Sequence, residues 1–583
     1  MTNKNTKAEL KEIIRKIALI NAVSYKGKAQ VSSVTRKFFA EKPEFRQKAK
    51  EVVKLIKEVV DEVNRLSFEE QKRIVEEKWP ESLIKKRVEE KRELPPLPNV
   101  GKYRVVVTRF SPNPDCVLHL GSARAIILCY EYAKMYKGKF ILRFEDTDPR
   151  LKRSALMFYD AIREDLLWLG CKWDEEYIQS DRIPIYYEHA EKLLEMGKAY
   201  VCTCPKEEFR KRVLAKKPCP CRELPSEKQI ERWNRMLDGT YKEGEAVVRI
   251  KTDLEHPNPA IRDWPALRII DPEKHPHPRV GKKYRVWPLY NFACGIDDHL
   301  MGITHIIRGK EHLTNMERQK YMYQHFGWDY PEAIHYGRLK ITGAVLSKSK
   351  IVQGIRQGIY SDWDDPRLAT LRALRRRGIT PEAIRKLMIE VGPKPSDVTL
   401  SWENLYAYNR KIVDPKANRY FYVNKPIQLS VRHVPKTYHV KLHLHPDHPE
   451  RGYREFIVKP VRSQALFWVS AQDQSLFQKG KIIRLMELFN IKIEETTKYA
   501  VEAVFHSETY EEAKRERAPL IHWLPINEGI PCQIIMPDAT IAEGIAEKTC
   551  KNLKPNTIIQ FERFGFVRVD KINEKLVAYY THR

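Results

Sequence analysis

Residues 103–144 read YRVVVTRFSPNPDCVLHLGSARAIILCYEYAKMYKGKFILRF, and this stretch decides the fold. Its first segment, Tyr103–Phe110, is rich in β-branched residues and predicts a buried strand. A loop leads into a helix predicted from Leu120 to about Tyr136. Phe140–Phe144 predicts a second strand, which runs parallel to the first because a crossover helix joins them. The stretch is therefore a βαβ unit of an α/β fold.

The loop of this unit, PNPDCVLHLGS at 112–122, lies where such a unit binds its ligand, at the carboxyl ends of the strands. It contains neither GxGxxG nor GxxxxGK[ST], which excludes the dinucleotide fingerprint and the P-loop. His119 stands just before the helix, where an imidazole can donate to a phosphate that also interacts with the helix dipole. Gly121 leaves space for a flat base. The alternative is a surface histidine in an ordinary strand–helix turn.

A second phosphate-binding element is predicted at 345–350, VLSKSK, which follows a glycine. Lys348 and Lys350 stand between small hydroxyl residues on what we expect to be a mobile loop. A lysine that closes over a triphosphate stabilises the charge that develops as pyrophosphate leaves. The alternative is a solvated basic turn.

Apolar periodicity predicts three helices before the βαβ unit. The first covers residues 8–23, the second covers 44–65, and a capping box at Ser67 opens the third. The prolines of LPPLPNV (94–100) end these helices and form a stiff linker. Residues 1–98 are therefore predicted to be a helical domain without recognisable chemistry.

The segments after the βαβ unit change from helical to β-rich. Residues 360–390 predict helices with a turn at Gly378 and with Pro381 in a first turn. After about residue 416, alternating segments such as 438–444 are punctuated by Pro and Gly, which predicts antiparallel barrels or sandwiches. No internal repeat stands out. The predicted domains are 1–98, 99–355 with an insertion at 198–290, 356–415 and 416–583.

Composition limits the class of protein. The chain has 583 residues, 42% of them hydrophobic, which excludes a disordered or collagen-like protein. No run of 18 apolar residues suggests a transmembrane helix, and the start lacks the apolar region of a secretory signal, so we expect a cytoplasmic protein. The formal net charge of +28 indicates a nucleic-acid partner. The alternative is a heavily charged, thermophile-like surface.

Four cysteines form two close pairs, C-x-C and C-x-C. Four thiolates in this arrangement suit a tetrahedral zinc ion that staples a small insertion, and the predicted ligands are Cys202, Cys204, Cys219 and Cys221. Because C-x₂-C is the commoner spacing, a reduced cluster without metal is the alternative. For the histidines of HLHPDH (443–448), a solvated hairpin loop is favoured over a metal site.

The two phosphate-binding elements resemble the HIGH and KMSKS signatures of class I aminoacyl-tRNA synthetases. Further segments resemble glutamyl-tRNA synthetases of the archaeal type in content and order: RFSPNPDCVLHLGSARA (109–125), ILRFEDTDPR (141–150) and WPLYNFACGIDDHLMGITHIIRGKEH (287–312). Three more are similar to the tail that archaeal and eukaryotic glutamyl enzymes share with glutaminyl-tRNA synthetases: DDPRLATLRALRRRGITPEAI (364–384), KIVDPKANRYF (411–421) and IIQFERFGFVRVD (558–570). The resemblance covers roughly residues 100–583.

The resemblance implies a fold and a reaction. The fold class is α/β, with a Rossmann-like class I catalytic domain that carries an insertion, an N-terminal helical unit, a helical connecting subdomain and C-terminal antiparallel β-barrels. The reaction is the Mg²⁺- and ATP-dependent activation of L-glutamate and its transfer to the 3′-terminal adenosine of tRNA(Glu). The implied catalytic residues are His119 and Lys348, and the implied ATP-binding residues are Pro112, His119, Gly121, Ser122, Glu311, Ser347 and Lys348. The implied glutamate-binding residues are Arg109, Glu145, Tyr290 and Arg308.

Two positions depart from the family pattern. Ser122 replaces the second histidine of the HIGH signature, and Val345 replaces the first lysine of KMSKS. Because of both changes, we expect His119 and Lys348 to contribute most of the phosphate binding. The alternative role for Glu145 or Asp146 is to cap the N-terminus of the next helix. We expect one of the two residues to have this role.

Glutamate is predicted over glutamine because of Arg308, a bidentate match for a carboxylate where the glutaminyl branch has a short uncharged side chain. The remaining alternatives are a glutaminyl-tRNA synthetase, a non-catalytic tRNA-binding paralogue, and a truncated paralogue that glutamylates a modified nucleoside. A non-catalytic paralogue would have lost Arg109, His119, Arg308 or Lys348. A truncated paralogue would lack the β-rich tail. The sequence leaves open whether tRNA(Gln) is charged as well, and which proteins residues 1–98 bind.

Contacts with tRNA are predicted at three places. The insertion should touch the acceptor end, and the β-rich region 416–583 should read splayed anticodon bases. Like charges crowded on a short helix are unfavourable unless phosphate neutralises them, so a third contact is predicted at Arg372, Arg375, Arg376 and Arg377. The alternative for these arginines is a solvated basic face.

Overall fold

The computed structural model describes residues 4–24, 27–42, 44–45, 49–79, 93–345 and 347–583. The chain forms two compact units, Met1–Lys91 and Arg92–Arg583. The described helices of the first unit are Lys4–Ser24 (α1), Val31–Glu41 (α2), Ala49–Asn64 (α3) and Phe68–Lys78 (α4).

The first unit has one helix more than the sequence predicted among its described residues. The prediction missed α2, whose Val34 and Phe38 are fully buried but are too few to give a clear helical period. The capping box is confirmed, because Ser67 Oγ accepts from the Glu70 N–H at 3.3 Å and the Glu70 carboxylate accepts from the Ser67 N–H at 2.8 Å. Part of the second predicted helix, at 46–48, and the segment 80–92 before the proline-rich linker lie outside the described residues.

Helices and strands alternate in the second unit as far as residue 415. The strands are Val107–Phe110 (β1), Lys139–Phe144 (β2), Glu175–Ile178 (β3), Ala199–Cys202 (β4), Val247–Ile250 (β5), Pro265–Ile269 (β6), Val286–Pro288 (β7), His305–Gly309 (β8), Glu332–Tyr336 (β9), Leu339–Ile341 (β10) and Val398–Leu400 (β11). The helices are Leu120–Met135 (α5), Leu156–Trp168 (α6), Ile183–Glu195 (α7), Lys206–Leu214 (α8), Ser226–Leu237 (α9), Tyr290–Leu300 (α10), Leu313–Phe326 (α11), Lys348–Arg356 (α12), Leu371–Arg376 (α13), Pro381–Val391 (α14) and Trp402–Val413 (α15).

The βαβ unit forms as predicted, with β1 parallel to β2 and α5 as the crossover. β1 begins at Val107, later than predicted, because its partner strand begins at Lys139, which pairs with Val107. β3 extends the parallel sheet beyond β2, and Thr304, just before β8, donates its N–H to the Val107 carbonyl at 3.0 Å. The carboxyl ends of β1, β2 and β8 therefore meet at one edge.

The inserted segment forms an antiparallel sheet of β4, β5, β6 and β7. Its core contains three buried tryptophans, Trp233, Trp264 and Trp287. This core also includes residues of α7, α10 and α11, so the inserted sheet packs against helices on either side of it in the chain.

The C-terminal region is built mainly of strands. They are Arg419–Tyr420 (β12), Tyr422–Asn424 (β13), Pro426–Arg432 (β14), Tyr438–His443 (β15), Tyr453–Val458 (β16), Ala465–Ser470 (β17), Ile482–Leu485 (β18), Asn490–Thr496 (β19), Ala500–Ser507 (β20), Leu520–Ile521 (β21), Leu524–Pro525 (β22), Gly529–Ile535 (β23), Ile541–Glu547 (β24), Ile558–Phe561 (β25), Gly565–Ile572 (β26) and Leu576–His582 (β27), with one helix at Tyr510–Arg515 (α16).

Two seven-stranded sheets in this region share one architecture. The first C-terminal sheet has the order β21-β18-β19-β20-β14-β17-β22, and the second has β12-β25-β26-β27-β23-β24-β13. Along either order the neighbours pair parallel, antiparallel, antiparallel, parallel, antiparallel and antiparallel. β12 and β13 precede the strands of the first sheet in the chain but pair in the second sheet. β21 and β22 directly precede β23, which belongs to the second sheet, but pair in the first sheet. The region is thus a structural repeat that the sequence did not reveal, and it includes parallel pairs that were not predicted.

Candidate active site

A cavity of about 640 Å³ opens where β1, β2 and β8 end. The four residues predicted to bind glutamate, Arg109, Glu145, Tyr290 and Arg308, all line it. Of the predicted ATP-binding residues only Glu311 does so, whereas the others lie in the 112–122 segment and the lysine loop outside this lining. The cavity therefore corresponds to the amino-acid part of the predicted site.

A group of four residues, which we call the paired wall, consists of Arg109 and Glu145, which line the cavity, and of Asp298 and Arg143, which are hydrogen-bonded to them. Asp298 accepts from Nε and Nη2 of Arg109 at 3.0 and 3.1 Å and from Nη1 of Arg143 at 2.8 Å. Arg143 also donates from Nη2 to Glu145 at 3.0 Å. Burial opposes the charge on Asp298, but the two arginines hold its pKa below the ordinary value. Each charge of this wall has a counter-charge within the wall.

A second group, which we call the open wall, consists of Arg308, which lines the cavity, and of its hydrogen-bond partners Gln319, Tyr330 and His335. Nη2 of Arg308 donates to Tyr330 Oη at 3.0 Å and to Gln319 Oε1 at 3.2 Å, and Nε donates to His335 Nε2 at 3.4 Å. Within the described residues, Nη1 of Arg308 has no hydrogen-bond partner although the side chain is buried. All the partners of this guanidinium are neutral, so its charge is available to an anion.

Two histidines near Arg308 are kept neutral by their surroundings. Burial, followed by the charge of Arg308, lowers the pKa of His335 to about 4. Burial and then Arg308 and Arg109 lower the pKa of His312 to about 4 as well. At neutral pH these two imidazoles are therefore uncharged, and Arg308 is the charged group of the open wall.

Burial raises the pKa of Glu145 above its ordinary value, against the opposing charges of Arg143 and Arg109. Its neighbour Asp146 has a different role. Asp146 accepts from the Ser180 N–H at 2.8 Å and from Tyr159 Oη at 2.6 Å. The expectation that one of the two carboxylates is structural therefore fits Asp146, although it holds the turn at Ser180 rather than capping the next helix, α6.

His119 caps the N-terminus of α5. Its Nδ1 accepts from the Ser122 N–H at 3.2 Å, and burial lowers its pKa, so the ring is neutral and carries its proton on Nε2. Gly121 has a reason other than the predicted contact with a base. A Cβ at Gly121 would come within 2.8 Å of the His119 ring, so the missing side chain makes room for the imidazole itself.

The lysine loop meets the 112–122 segment through an ion pair between Lys348 Nζ and the Asp115 carboxylate. Lys348 is the first residue of α12, and Ser347 just before it is exposed. Leu346 lies outside the described residues. The two phosphate-binding elements, distant in sequence, are thus brought into contact.

The four predicted metal-ligating cysteines form one cluster, with all Sγ atoms within 4.8 Å of one another. Cys204 and Cys219 are 3.2 Å apart, Cys202 and Cys219 are 3.6 Å apart, and Cys204 and Cys221 are 3.8 Å apart. A tetrahedron with Zn–S bonds of about 2.3 Å has S–S edges of about 3.8 Å. It is the one cluster of this kind among the described residues, and the histidines of 443–448 form none.

The arginines predicted to bind tRNA have protein partners. Arg372 and Arg375 contact Glu164 at 3.3 and 2.8 Å, and Arg376 contacts Asp364 at 2.8 Å. Arg377 is buried, with 2% of its surface exposed, and donates to Tyr406 Oη at 2.7 Å. Carboxylates therefore offset part of the charge of this cluster, with Glu164 shared by Arg372 and Arg375, and the contact of these arginines with tRNA stays a prediction.

The sequence reasoning missed Arg143, Asp298, Gln319 and Tyr330. One signal was present, because Asp297 and Asp298 stand in the apolar run FACGIDDHLMGI. A buried carboxylate needs a partner, so such a pair marks a network. Asp297 indeed accepts from Arg182 Nε at 2.9 Å and from Tyr186 Oη at 2.6 Å.

Comparison with known families agrees with this geometry. Residues 105–415 match the family described as tRNA synthetases class I (E and Q), catalytic domain. Residues 417–508 and 520–570 match the two anticodon-binding domain families of the same class. The chain therefore belongs to the class I tRNA synthetases of the glutamate and glutamine (E and Q) group.

Among curated proteins, similar chains are glutamate–tRNA ligases. The protein from Pyrococcus furiosus is 56% identical over 99% of this chain and 100% of its own length. Those from Pyrococcus abyssi and Thermococcus kodakarensis are 55% and 54% identical, each over 99% of this chain and 100% of their own lengths. None of the helices in the described residues is long and apolar enough to cross a membrane.

Proposed function

We propose that the protein is a cytoplasmic glutamate–tRNA ligase of the archaeal type, which activates L-glutamate with ATP and transfers it to the 3′-terminal adenosine of tRNA(Glu). The observation that carries the proposal is the unpartnered Nη1 of Arg308 in a cavity whose other buried charges are already paired. A side-chain carboxylate is the ligand group that such a guanidinium matches.

In the first step, the α-carboxylate of glutamate attacks the α-phosphorus of ATP, which enters as its Mg²⁺ complex, and pyrophosphate leaves. Catalysis of this kind consists mainly of positioning and charge stabilisation. His119 would donate from Nε2 to a phosphate oxygen, because its Nδ1 is occupied by the Ser122 N–H. Lys348 would exchange Asp115 for the leaving pyrophosphate. The remaining ATP-binding residues in this proposal are Pro112, Gly121, Ser122, Glu311 and Ser347.

In the second step, the 2′-hydroxyl of the terminal ribose attacks the adenylate carbonyl, and AMP leaves. Glu145 and Tyr290 would hold the ammonium end of glutamate, and Arg109 would support binding from the paired wall. Arg308 would select the γ-carboxylate. A neutral amide would leave this guanidinium unpaired, which disfavours glutamine in a closed site.

We also propose one structural zinc on the four cysteines, because their sulfur separations suit a tetrahedral ion. Zinc would fix the short turns around Cys204 and Cys219 within the insertion. Metal analysis of untagged protein should give one zinc per chain, and Cys204→Ser should lose it. Cys116→Ser, outside the cluster, is the matched control and should keep the metal.

For tRNA we propose that the insertion at 198–290 contacts the acceptor end and that 416–583 binds the anticodon. The full domain division is 1–98, 99–355, 356–415 and 416–583. The matches of 417–508 and 520–570 to anticodon-binding families support the last of these. Arg372 and Arg375 keep part of their surface exposed and remain candidates for phosphate contacts.

The decisive experiment is aminoacylation of separate tRNA(Glu) and tRNA(Gln) transcripts with labelled glutamate and labelled glutamine. We expect glutamate to be attached to tRNA(Glu), and the same assay reports whether tRNA(Gln) also accepts it. Attachment of glutamine instead of glutamate would favour a glutaminyl enzyme, and no attachment to either transcript would favour a tRNA-binding paralogue.

The lysine loop has its own test. Lys348→Ala should lower the rate of adenylate formation with little change in affinity for tRNA, because its charge acts on the leaving pyrophosphate. Lys350→Ala, two residues further along in α12 and without the ion pair to Asp115, is the matched control. A change confined to the KM for tRNA would show that the role of the loop is different.

A further inference from the structure

His312 is a residue of the cavity to which the two reaction steps above give no role. It ends the short turn Lys310–His312 that follows β8, and it is the N-cap residue of α11. Its side chain lines the cavity, four residues after Arg308. A residue at the carboxyl end of a parallel strand lies where this type of sheet binds its ligand.

The His312 ring holds its proton on Nε2. The amide nitrogen of Asn315, which can only donate, lies 3.0 Å from His312 Nδ1, so Nδ1 accepts this hydrogen bond. At neutral pH the ring is uncharged, because burial and then Arg308 and Arg109 lower its pKa to about 4. An uncharged ring whose Nδ1 is an acceptor carries its single proton on Nε2. Within the described residues this Nε2 has no hydrogen-bond partner, so the cavity lining contains a free N–H donor.

The surroundings of His312 favour negative charge. Burial is the largest cause of the lowered pKa of the ring, and the charges of Arg308, Arg109 and Lys152 also oppose its protonation. The N-terminus of α11, where His312 lies, disfavours an added positive charge as well. The same positive potential stabilises negative charge that develops on an atom beside the ring.

His312 also packs against a residue proposed to hold the substrate. The centroids of the His312 and Tyr290 rings are 5.5 Å apart, and the ring planes are inclined by 44°. In the proposed function Tyr290 holds the ammonium end of glutamate, and the reacting carbonyl is bonded to the same α-carbon as that ammonium group. The imidazole is therefore next to the reacting end of the substrate.

We propose that His312 is a catalytic residue of the transfer step, and that its Nε2–H donates a hydrogen bond to the carbonyl oxygen of the glutamyl adenylate. The inference rests on the proposed function, because that function assigns the ammonium end of glutamate to Tyr290. Asn315 is the positioning residue, since its amide fixes the tautomer of the ring. A neutral imidazole at a helix N-terminus can polarise a carbonyl in this way without giving up its proton.

The transfer step then proceeds by addition and elimination at the carbonyl carbon. The 2′-oxygen of the terminal ribose forms a bond to this carbon, and the π electrons of the carbonyl move onto its oxygen, which accepts the hydrogen bond from His312 Nε2. The carbonyl is restored as the bond between carbon and the phosphate oxygen breaks, and AMP leaves with that electron pair. The proton of the ribose hydroxyl goes to the departing phosphate, while His312 keeps its own proton throughout.

The test measures activation and transfer separately. Activation is measured as glutamate-dependent ATP–pyrophosphate exchange in the presence of a tRNA(Glu) transcript that ends in 2′-deoxyadenosine and cannot accept glutamate at that position. Transfer is measured in single turnovers with the transcript that ends in adenosine. His312→Phe keeps a ring beside Tyr290 but removes the donor, so transfer should slow by about 10²- to 10³-fold, the usual loss for one oxyanion donor, with a much smaller change in exchange. His312→Gln, whose amide N–H can replace the donor, should recover most of the transfer rate.

Asn315→Asp tests the tautomer. A carboxylate at this position accepts from Nδ1–H, so an uncharged ring would have no proton on Nε2. The negative charge also raises the pKa of the ring, and a protonated ring has the Nε2–H donor again. Transfer by this variant should therefore be slow at high pH and should recover as the pH falls. In the unmodified protein, His312 should contribute no ionisation to the transfer rate between about pH 6 and pH 8.

His325→Gln is the matched control. His325 lies near the other end of α11, burial lowers its pKa as well, and its Nε2 donates to the Lys251 carbonyl at 2.7 Å, outside the cavity lining. This variant also loses a half-buried, uncharged imidazole of the same helix. The ratio of the transfer rate to the exchange rate should nevertheless stay as in the unmodified protein.

Equal losses of exchange and transfer in His312→Phe would overturn the assignment, because the residue would then only bind glutamate. Undiminished transfer in this variant would overturn it as well, and so would identical pH profiles of Asn315→Asp and the unmodified protein. Failure of the unmodified enzyme to charge any tRNA would instead contradict the proposed function, and the role of His312 with it.

Discussion

The two walls of the amino-acid cavity use buried arginines in opposite ways. In the paired wall, Asp298 binds both Arg109 and Arg143, and Glu145 binds Arg143 again. In the open wall, Arg308 contacts a tyrosine, a glutamine and a neutral histidine, and its Nη1 has no partner among the described residues. Both arrangements bury guanidinium charge in the same cavity.

Buried arginines that are paired with carboxylates support the shape of the cavity, whereas a buried arginine with neutral partners can bind a ligand. An internal ion pair with good hydrogen bonds contributes a fixed geometry, and removal of one partner leaves a buried charge uncompensated. A buried cation with neutral partners only is costly until an anion enters, so its presence indicates a ligand that carries the opposite charge. In our proposal, the paired wall is therefore a scaffold, and the open wall selects glutamate.

The largest effect is expected for the paired wall. Asp298→Asn would leave Arg109 and Arg143 without their common counter-charge, and breaking a buried pair typically costs about 3–5 kcal/mol. The free energy of unfolding from urea titrations should fall by that amount, with glutamate binding lost as a consequence. A fall of less than about 1 kcal/mol would mean that the wall does not depend on internal pairing.

The second prediction concerns Arg308. Arg308→Cys should lower glutamate-dependent ATP–pyrophosphate exchange roughly 10²- to 10³-fold, because a charged pairing in a closed site is lost. The free energy of unfolding should stay unchanged or rise, since no opposite charge is left unpaired, and ATP binding should be spared. Arg308→Lys keeps the positive charge but not the two parallel donors of the guanidinium, so it should lose less of the exchange activity. Equal or better use of glutamine than of glutamate by the unmodified enzyme would contradict this role of Arg308.

A smaller effect is expected at Tyr330, whose Oη accepts from Arg308 and donates to Gln319 at 2.7 Å. Tyr330→Phe should lower kcat/KM for glutamate by about tenfold, because one hydrogen bond to a charged group is lost. Tyr323→Phe is the matched control, since its hydroxyl donates to the Gly295 carbonyl and not to Arg308. Equal effects of the two substitutions would argue against a role of Tyr330 in orienting Arg308.

A further prediction is a pH dependence of stability. The pKa of His335 is lowered to about 4 by burial and by Arg308, whereas in the unfolded chain it is about 6.5. Between these values the unfolded state binds a proton that the folded state does not, so stability should fall as pH decreases from about 6.5 to about 4. His335→Gln should make this fall shallower in urea titrations.

The local elements of the fold were predictable because their signals are contiguous. The β-branched run before Phe110, the helix that begins at Leu120 and the capping box at Ser67 each depend on spacing within a few residues. The β-hairpin face of Val440 and Leu442 is buried as its alternation indicated. Helix α2 was missed, since eleven residues with few apolar positions give too weak a period.

The sequence by itself located the two phosphate-binding elements in short motifs, and its resemblance to a known family gave the class of enzyme and pointed to the four residues that line the cavity. Only the tertiary structure decided which of those groups are already occupied. Arg109 is bound to Asp298, Lys348 to Asp115, His119 to the segment of Thr370, and Arg377 to Tyr406, while Nη1 of Arg308 has no partner among the described residues. The tertiary structure also decided that β12 and β13 pair in the second C-terminal sheet and that β21 and β22 pair in the first. These contacts join residues far apart in the chain, and their partners are set by packing and hydrogen-bond geometry, which local periodicity does not encode.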